Sequence, residues 1–454
     1  MQFEWHMRRL QCMAMPMKQM TRAERKALIE KSFDMVSDAR FFIRKWFSLA
    51  HLDQIHRDNM NDWMAWALWA KKYEDLGRGE WEEIEGYVDM VQERAGHIFP
   101  LGRADGVPIR LNIDPVQMHH RSLLWYALMG NLDFGAFLRL NFKGFHFYRL
   151  PRSTFFSVFP FRFRTLLAPK QSASAHFSYY YRPHESKTHR PILFIHGIGP
   201  GVGAYMTWLS TIPKDIGIIA IEIMNVSNRI APVGVDMATF SEEVNRILEQ
   251  LAIEDFVLVA HSYGTMLARP LLKHPAVGPK INSLVLCDPV AILLHLPDVA
   301  YSLTRRAASD TPQAQIEFTV GRDPMVANTV CRRFHWPESI LFREDFEGKR
   351  TTAVVAARDC VLNGPAVAAY MHYGGVHFND ADVEELKSTP GLWTGQADIE
   401  LFYLEDRDHG QSLLIPLEQK RVTKMVVAYA DLAHEKPLLD EKFDVEKGST
   451  KHVD

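Results

Sequence analysis

The sequence predicts an α/β fold: a mostly parallel sheet flanked by helices, with a helical region ahead of it and an insertion late in the sheet. Three observations carry this. From about residue 175, short apolar runs alternate with helix-like stretches, the pattern of strands joined by helical crossovers. The apolar runs among them, such as Ile192 to Ile195, suggest strands covered on both faces. One of them, Phe256 to Ala260, leads directly into His261-Ser262-Tyr263-Gly264 and then Thr265-Met266-Leu267-Ala268-Arg269. That reads as a strand, a sharp turn and a helix, with a serine at the tip of the turn.

The composition is compatible with such a fold. The 454 residues suffice for a large core and more than one unit. With 47% hydrophobic and 24% charged residues the chain is globular in character. A formal net charge of −3 leaves no basic surplus for a nucleic-acid partner. Cys12, Cys287, Cys331 and Cys360 lie far apart and form no C-x-x-C pair. This argues against a disulfide framework or a zinc site and for a reducing, cytoplasmic compartment. No metal or cofactor is expected.

Residues 1–20 contain Glu4, Arg8 and Arg9 without a following apolar segment, so no secretory signal is read there. Met13, Met15, Met17 and Met20 read as a flexible terminus rather than a soft-metal site. Residues 21–170 form a helical region. Thr21 followed by Glu24 is a capping-box pattern. Asn59 to Tyr73 is rich in Trp and Met, and Glu80 to Ala95 is amphipathic with acidic residues at its start, where the helix dipole favours them. Leu123 to Leu140 reads as a further buried helix. Ser122 to Leu140 comes nearest to a membrane span, but Asp133 and Arg139 break it, and no uncharged run reaches the ~18 to 20 residues required. Residues 142–170 interleave phenylalanines with arginines. A proline-broken connector laid on the next unit is the favoured reading, and peripheral membrane contact is the other.

Residues 171–434 hold the strands: His176 to Tyr181, Pro191 to His196, Ile216 to Glu222, Phe256 to Ala260, Ile281 to Leu286, Thr352 to Ala356 and Ile399 to Leu404. Residues 435–454 are charged and aperiodic, and read as a tail.

A serine hydroxyl needs a base to become a nucleophile, and the base needs an acid to orient it. Ser262 sits between Ala260 and Gly264, the small residues that a tight turn requires. Asp359 stands just past the strand Thr352 to Ala356. His409 stands just past Ile399 to Leu404, next to Asp406 and Asp408. Asp288, past the strand Ile281 to Leu286, competes with Asp359 as the acid. His261, His372 and His377 are weaker candidates than His409 for the base. An oxyanion needs backbone donors. The amide of Tyr263 offers one. The loop His196-Gly197-Ile198-Gly199-Pro200-Gly201 offers another, Ile198 first and Gly199 second. His196 and Gly197 are also expected to touch a substrate. This loop lacks the pattern of a phosphate-binding or dinucleotide-binding motif.

On the stretches His196 to Gly199, Ala260 to Gly264, Arg358 to Val361 and Asp408 to Gly410, residues 175–430 resemble the α/β-hydrolase superfamily. The helical first third resembles the extension of large eukaryotic members, fungal ones included. The resemblance implies an α/β-hydrolase fold, with Ser262 as nucleophile, Asp359 as acid and His409 as base. It also implies a lid in the insertion 289–350, where Phe334-His335-Trp336-Pro337 offers an aromatic lining with Trp336 against the substrate. Arg305-Arg306 and Arg332-Arg333 in the same insertion read as solvated helix faces. The expected activity is cleavage of a hydrophobic carboxylic ester or lactone through an acyl-enzyme. Acyl transfer by the same residues, and a non-catalytic binding protein on this fold, are the alternatives.

Overall fold

The computed structural model describes residues 8–12, 14–375, 385 and 393–433. Eight strands form one sheet in the order β1-β2-β4-β3-β5-β6-β7-β8. They are β1 His146–Tyr148, β2 Ser178–Arg182, β3 Ile192–Ile195, β4 Ile218–Glu222, β5 Phe256–His261, β6 Ile281–Cys287, β7 Arg350–Ala356 and β8 Ile399–Leu404. From β4 to β8 all neighbours are parallel, while β1 and β2 are antiparallel additions at one edge. Side chains alternate across the sheet. Along β5, Val257 and Val259 enter the core layer of Trp208, Met425 and Tyr429, whereas Leu258 and Ala260 enter the layer of Val244, Leu271 and the insertion. Because both faces are covered, β5 is buried throughout, which is why it reads as a continuous apolar run.

In the helical region, α1 (Arg22–Asp34) begins with the expected capping box between Thr21 and Glu24. Then follow α2 (Ala39–Trp46), α3 (Arg57–Trp69), α4 (Arg78–Ala95) and α5 (Leu123–Phe142). The aromatic α3 packs its Trp63 and Trp66 against Trp46 of α2. Helices α1 to α4 share one core with the insertion between β6 and β7. Several bonds fasten the two together. The Trp336 indole donates to the Ala67 carbonyl at 2.8 Å, Asn112 donates to the Phe334 carbonyl at 2.9 Å, and Lys45 pairs with Asp298 at 2.6 Å.

Several expectations are corrected. Strand β1 lies before residue 170 and pairs with β2 beyond it, so the sheet draws on both sides of that position. Residues 15–17 are pinned rather than flexible: Met15 donates its amide to the Arg332 carbonyl, and Met17 is buried. Arg332 is not on a solvated face. It is buried and donates to the carbonyls of Cys12, Leu111 and Asp114, while Arg305 pairs with Asp114. A guanidinium's fixed fork suits several carbonyls at once. Helix α5 is buried on one side only. The charged tail 435–454 and His377 lie outside the described residues. The four cysteines are free.

Candidate active site

The site is built at the C-terminal ends of β3, β5, β6, β7 and β8. At the end of β5 the chain turns through Ser262, which has φ 50° and ψ −121°. A non-glycine residue held at positive φ stores about 1–3 kcal/mol of strain. The turn is fixed by the Ser262 amide donating to the Cys287 carbonyl at 2.9 Å, and by the Ser262 carbonyl accepting from the amide and hydroxyl of Thr265 at 2.8 and 2.7 Å. Small neighbours are required. A Cβ on Gly264 would collide with the Ile195 carbonyl, and one on Gly197 would sit 2.9 Å from the Ser262 Cβ.

Ser262 Oγ lies 2.7 Å from His409 Nε2, and His409 Nδ1 lies 2.7 Å from Asp359 Oδ2. The other Asp359 oxygen accepts the amides of Val361 and Leu362 at 2.7 and 3.0 Å. Asp408 joins the two loops: its Oδ1 accepts the Cys360 amide at 2.8 Å and the His409 amide at 2.6 Å. Burial acts to lower the His409 value, but the charge and hydrogen bond of Asp359 outweigh it and push it up to about 9. With Asp359 holding Nδ1–H, the neutral ring presents Nε2 as an acceptor to the serine hydroxyl.

A second polar chain runs beneath the first. The Gly197 amide donates to Tyr205 Oη at 3.1 Å, and Tyr205 Oη lies 2.8 Å from His261 Nδ1. His261 Nε2 lies 3.2 Å from Asp288 Oδ2, which also accepts the Gly410 amide at 3.0 Å and the Ser412 hydroxyl at 2.9 Å. Burial outweighs the nearby carboxylate and holds His261 below its ordinary value. Burial acts to raise Asp288, but its bonds to His261 and Ser412 and the neighbouring imidazoles hold it low. The pair is therefore a neutral imidazole donating to an ionised carboxylate. Asp288 contacts neither Ser262 nor the outer nitrogen of His409. It tethers the loop that carries His409.

Ile198 and Tyr263 line the cavity together with Ser262, and neither amide is engaged by another group among the described residues. Tyr263 opens a helix, where the first amides have no partner within the helix. The Gly199 amide donates to the Val226 carbonyl at 3.1 Å, so it is withdrawn from the expected role. Ser262 and His409 open on a cavity of about 300 Å³. Met266, Val290, Val299, Leu303, Ile316 and Val320 give it an apolar wall, most of it supplied by the insertion.

Three expected contacts are absent from this cavity. His196 is wholly buried beneath it, with Nε2 accepting the Ile223 amide at 3.0 Å and Nδ1 2.7 Å from the Gly197 carbonyl. Trp336 points away into the helical region. Gly197 touches Ser262 and His261 rather than the cavity. His372 is on the surface of the helix Gly364–Tyr373. Among the described residues no group of three or more His, Cys, Asp or Glu side chains is placed to hold a metal ion. Tyr205 and Asp408 are the participants that the sequence did not single out. Asp408 had a signal in its position beside His409, and Tyr205 had none.

The fold and these strand ends define an α/β-hydrolase fold, and residues 190–325 match the family described by that fold. No curated protein matches the chain. Among solved structures, the chain is similar to a membrane phospholipase A described as a bacterial virulence factor (12% identity, 68% of this chain and 94% of that one, TM-score 0.41). It is also similar to a putative lipase from Acinetobacter baumannii (13% identity, 67% and 95%, TM-score 0.38). A third is naproxen esterase from Bacillus subtilis (11% identity, 56% and 89%, TM-score 0.36). Likeness at this level carries no information on substrate.

Proposed function

We propose that the protein is a serine hydrolase cleaving a carboxylic ester or lactone with a hydrophobic acyl part. The observation that carries this reading is the Ser262–His409–Asp359 chain opening on an apolar cavity. Ser262 Oγ attacks the carbonyl carbon as His409 Nε2 takes its proton. The oxyanion is received by the amides of Ile198 and Tyr263. His409 passes the proton to the leaving alcohol, and an acyl-enzyme remains. Water, deprotonated by His409, then releases the acid and restores the serine. Asp359 holds the imidazole in the required tautomer and stabilises it when it is charged.

A fluorophosphonate probe is expected to label the wild type at Ser262, found by mass spectrometry of the modified peptide. Equal labelling of the wild type and Ser262→Ala sinks the reading. Ester product collected with and without an added alcohol separates hydrolysis from acyl transfer.

The His409 value fixes a pH dependence. The base form is the neutral imidazole, so kcat/KM is expected to climb about tenfold per pH unit below pH 9 and level off above it. Asp359→Asn removes the charge that raises the value, so it moves this limb to lower pH while lowering the plateau. The linkage to stability has the opposite sign. The folded value lies above the ordinary one, so the stabilisation is complete below about pH 6.5 and is lost as pH rises through about 9. A kcat/KM profile on a soluble ester from pH 5 to 10 checks the first statement, and one that is flat from pH 7 upward contradicts it.

A further inference from the structure

On two neighbouring elements, buried charge stands behind large exposed apolar side chains. On α5, the buried face carries Asp133 among Tyr126, Met129, Ala136 and Leu140, while Leu124, Leu128, Leu138 and Phe142 face outward, Leu124 at 79% and Phe142 at 86% exposure. In the following segment, Arg162 and Arg164 are buried and Phe163 and Leu167 are 65% and 79% exposed. The inward charges are satisfied. Arg164 holds Asp133 Oδ1 at 2.6 Å, and Arg162 holds Asp133 and Glu222. So charge is kept inside and apolar surface is presented outside, on two elements bound to each other. Soluble monomers rarely expose a contiguous apolar surface of this kind.

The exposed charge on these two elements themselves has one sign. Between residues 122 and 171 the sole acid is Asp133, which is buried, whereas Arg139, Lys143 and Arg152 are exposed. An apolar face rimmed by cations is the signature of an element lying in the interface of a lipid bilayer with anionic headgroups. A second copy of the chain fits less well. A two-fold contact sets this patch against the same patch of the copy, and the element has no exposed acid to meet these cations. Among the described residues no helix is long and apolar enough to cross a membrane.

We propose that α5 and the segment 156–167 dock this protein on an anionic lipid surface, with the mouth of the cavity turned toward the lipid. The second half follows from continuity. Helix α5 packs on the turn Gly201–Tyr205, whose Ala204 and Tyr205 line the cavity. Trp125 of α5 meets Phe318 edge-on at 5.1 Å, next to the cavity residues Thr319 and Val320. Leu414 is both 53% exposed and part of the cavity wall. Docking does not depend on ester hydrolysis, so Ser262→Ala binds lipid as the wild type does.

The test is co-sedimentation of the full chain with vesicles of phosphatidylcholine alone and of phosphatidylcholine with phosphatidylserine. The wild type is expected to partition at least about tenfold more strongly to the anionic vesicles, with the preference falling as salt rises. Leu124→Glu with Leu138→Glu is expected to abolish binding to both compositions. Arg139→Glu with Lys143→Glu is expected to abolish only the anionic preference. Circular dichroism and turnover of a short soluble ester, unchanged in both variants, show that they fold. The proposal is overturned if the wild type stays in the supernatant, or if both variants bind as it does. It is also overturned if sedimentation velocity without lipid finds a wild-type dimer that the leucine variant converts to monomer, which assigns the face to a second copy.

Discussion

Ser262→Ala is expected to lower kcat on a soluble ester by about 10⁴- to 10⁶-fold with KM changed only a few-fold. The size follows from the geometry. Among the described residues the Ser262 hydroxyl is the group hydrogen-bonded to His409 Nε2. His409→Ala is expected to cost about as much, because a serine without its base is as inert as no serine. The double variant is expected to lose little more than either single one, since the two residues act as one device. Residual turnover above water then reports the amides of Ile198 and Tyr263 and the binding of the acyl part. Steady-state kinetics on the three variants checks this. Additive losses would mean that the serine and histidine act in separate steps.

Asp288→Ala is expected to reduce folding stability by about 3–5 kcal/mol, because it strands three buried donors at roughly 1–3 kcal/mol each. Asp288 is wholly buried, and its Oδ2 takes three donors. Alanine leaves His261, the Gly410 amide and the Ser412 hydroxyl all without an acceptor. Asp288→Asn is expected to be milder, about 1–3 kcal/mol. Its carbonyl oxygen can serve the same three donors, while its amide nitrogen occupies the place of Oδ1, which has no partner. Both changes loosen the loop carrying His409, so kcat is expected to fall by about 10²-fold through misplacement rather than loss of the base. Urea unfolding and kcat measured on both variants test the account. If Asp288→Ala unfolds like the wild type, the tether is not what holds the loop. If Asp288→Asn matches Ser262→Ala in kcat, Asp288 serves the chemistry directly.

Much of this arrangement is legible in the residue order because it depends on local chemistry. Strands covered on both faces are rich in apolar residues, and β3, β4 and β5 appear in the sequence as nearly unbroken apolar runs. The tight turn needs Gly264, so the serine is marked by its neighbours. Asp359 and His409 are marked by standing just past strands. What was not legible depends on distant partners. Strand β1 is three residues long and is defined by its pairing with β2. Nothing near Gly199 shows that its amide is spent on Val226. His196 and Trp336 have the residue types of a substrate contact, yet their neighbours in space are Ile223 and Ala67. Helix α5 reads as buried because its residues are apolar, and apolarity alone does not say whether the neighbour is protein. Arg332 reads as solvated because its carbonyl partners lie more than 200 residues away in sequence.

The clasp between the helical region and the insertion has a further consequence, for how the molecule can change over generations. The insertion that gives the cavity much of its wall is held from Ala67, Asn112 and Asp114, none of which lines it. A substitution at these supports can shift that wall while leaving every strand-end residue intact. Substrate preference in descendants of this chain can therefore drift through its first third, and two chains with identical residues around the serine need not share a substrate.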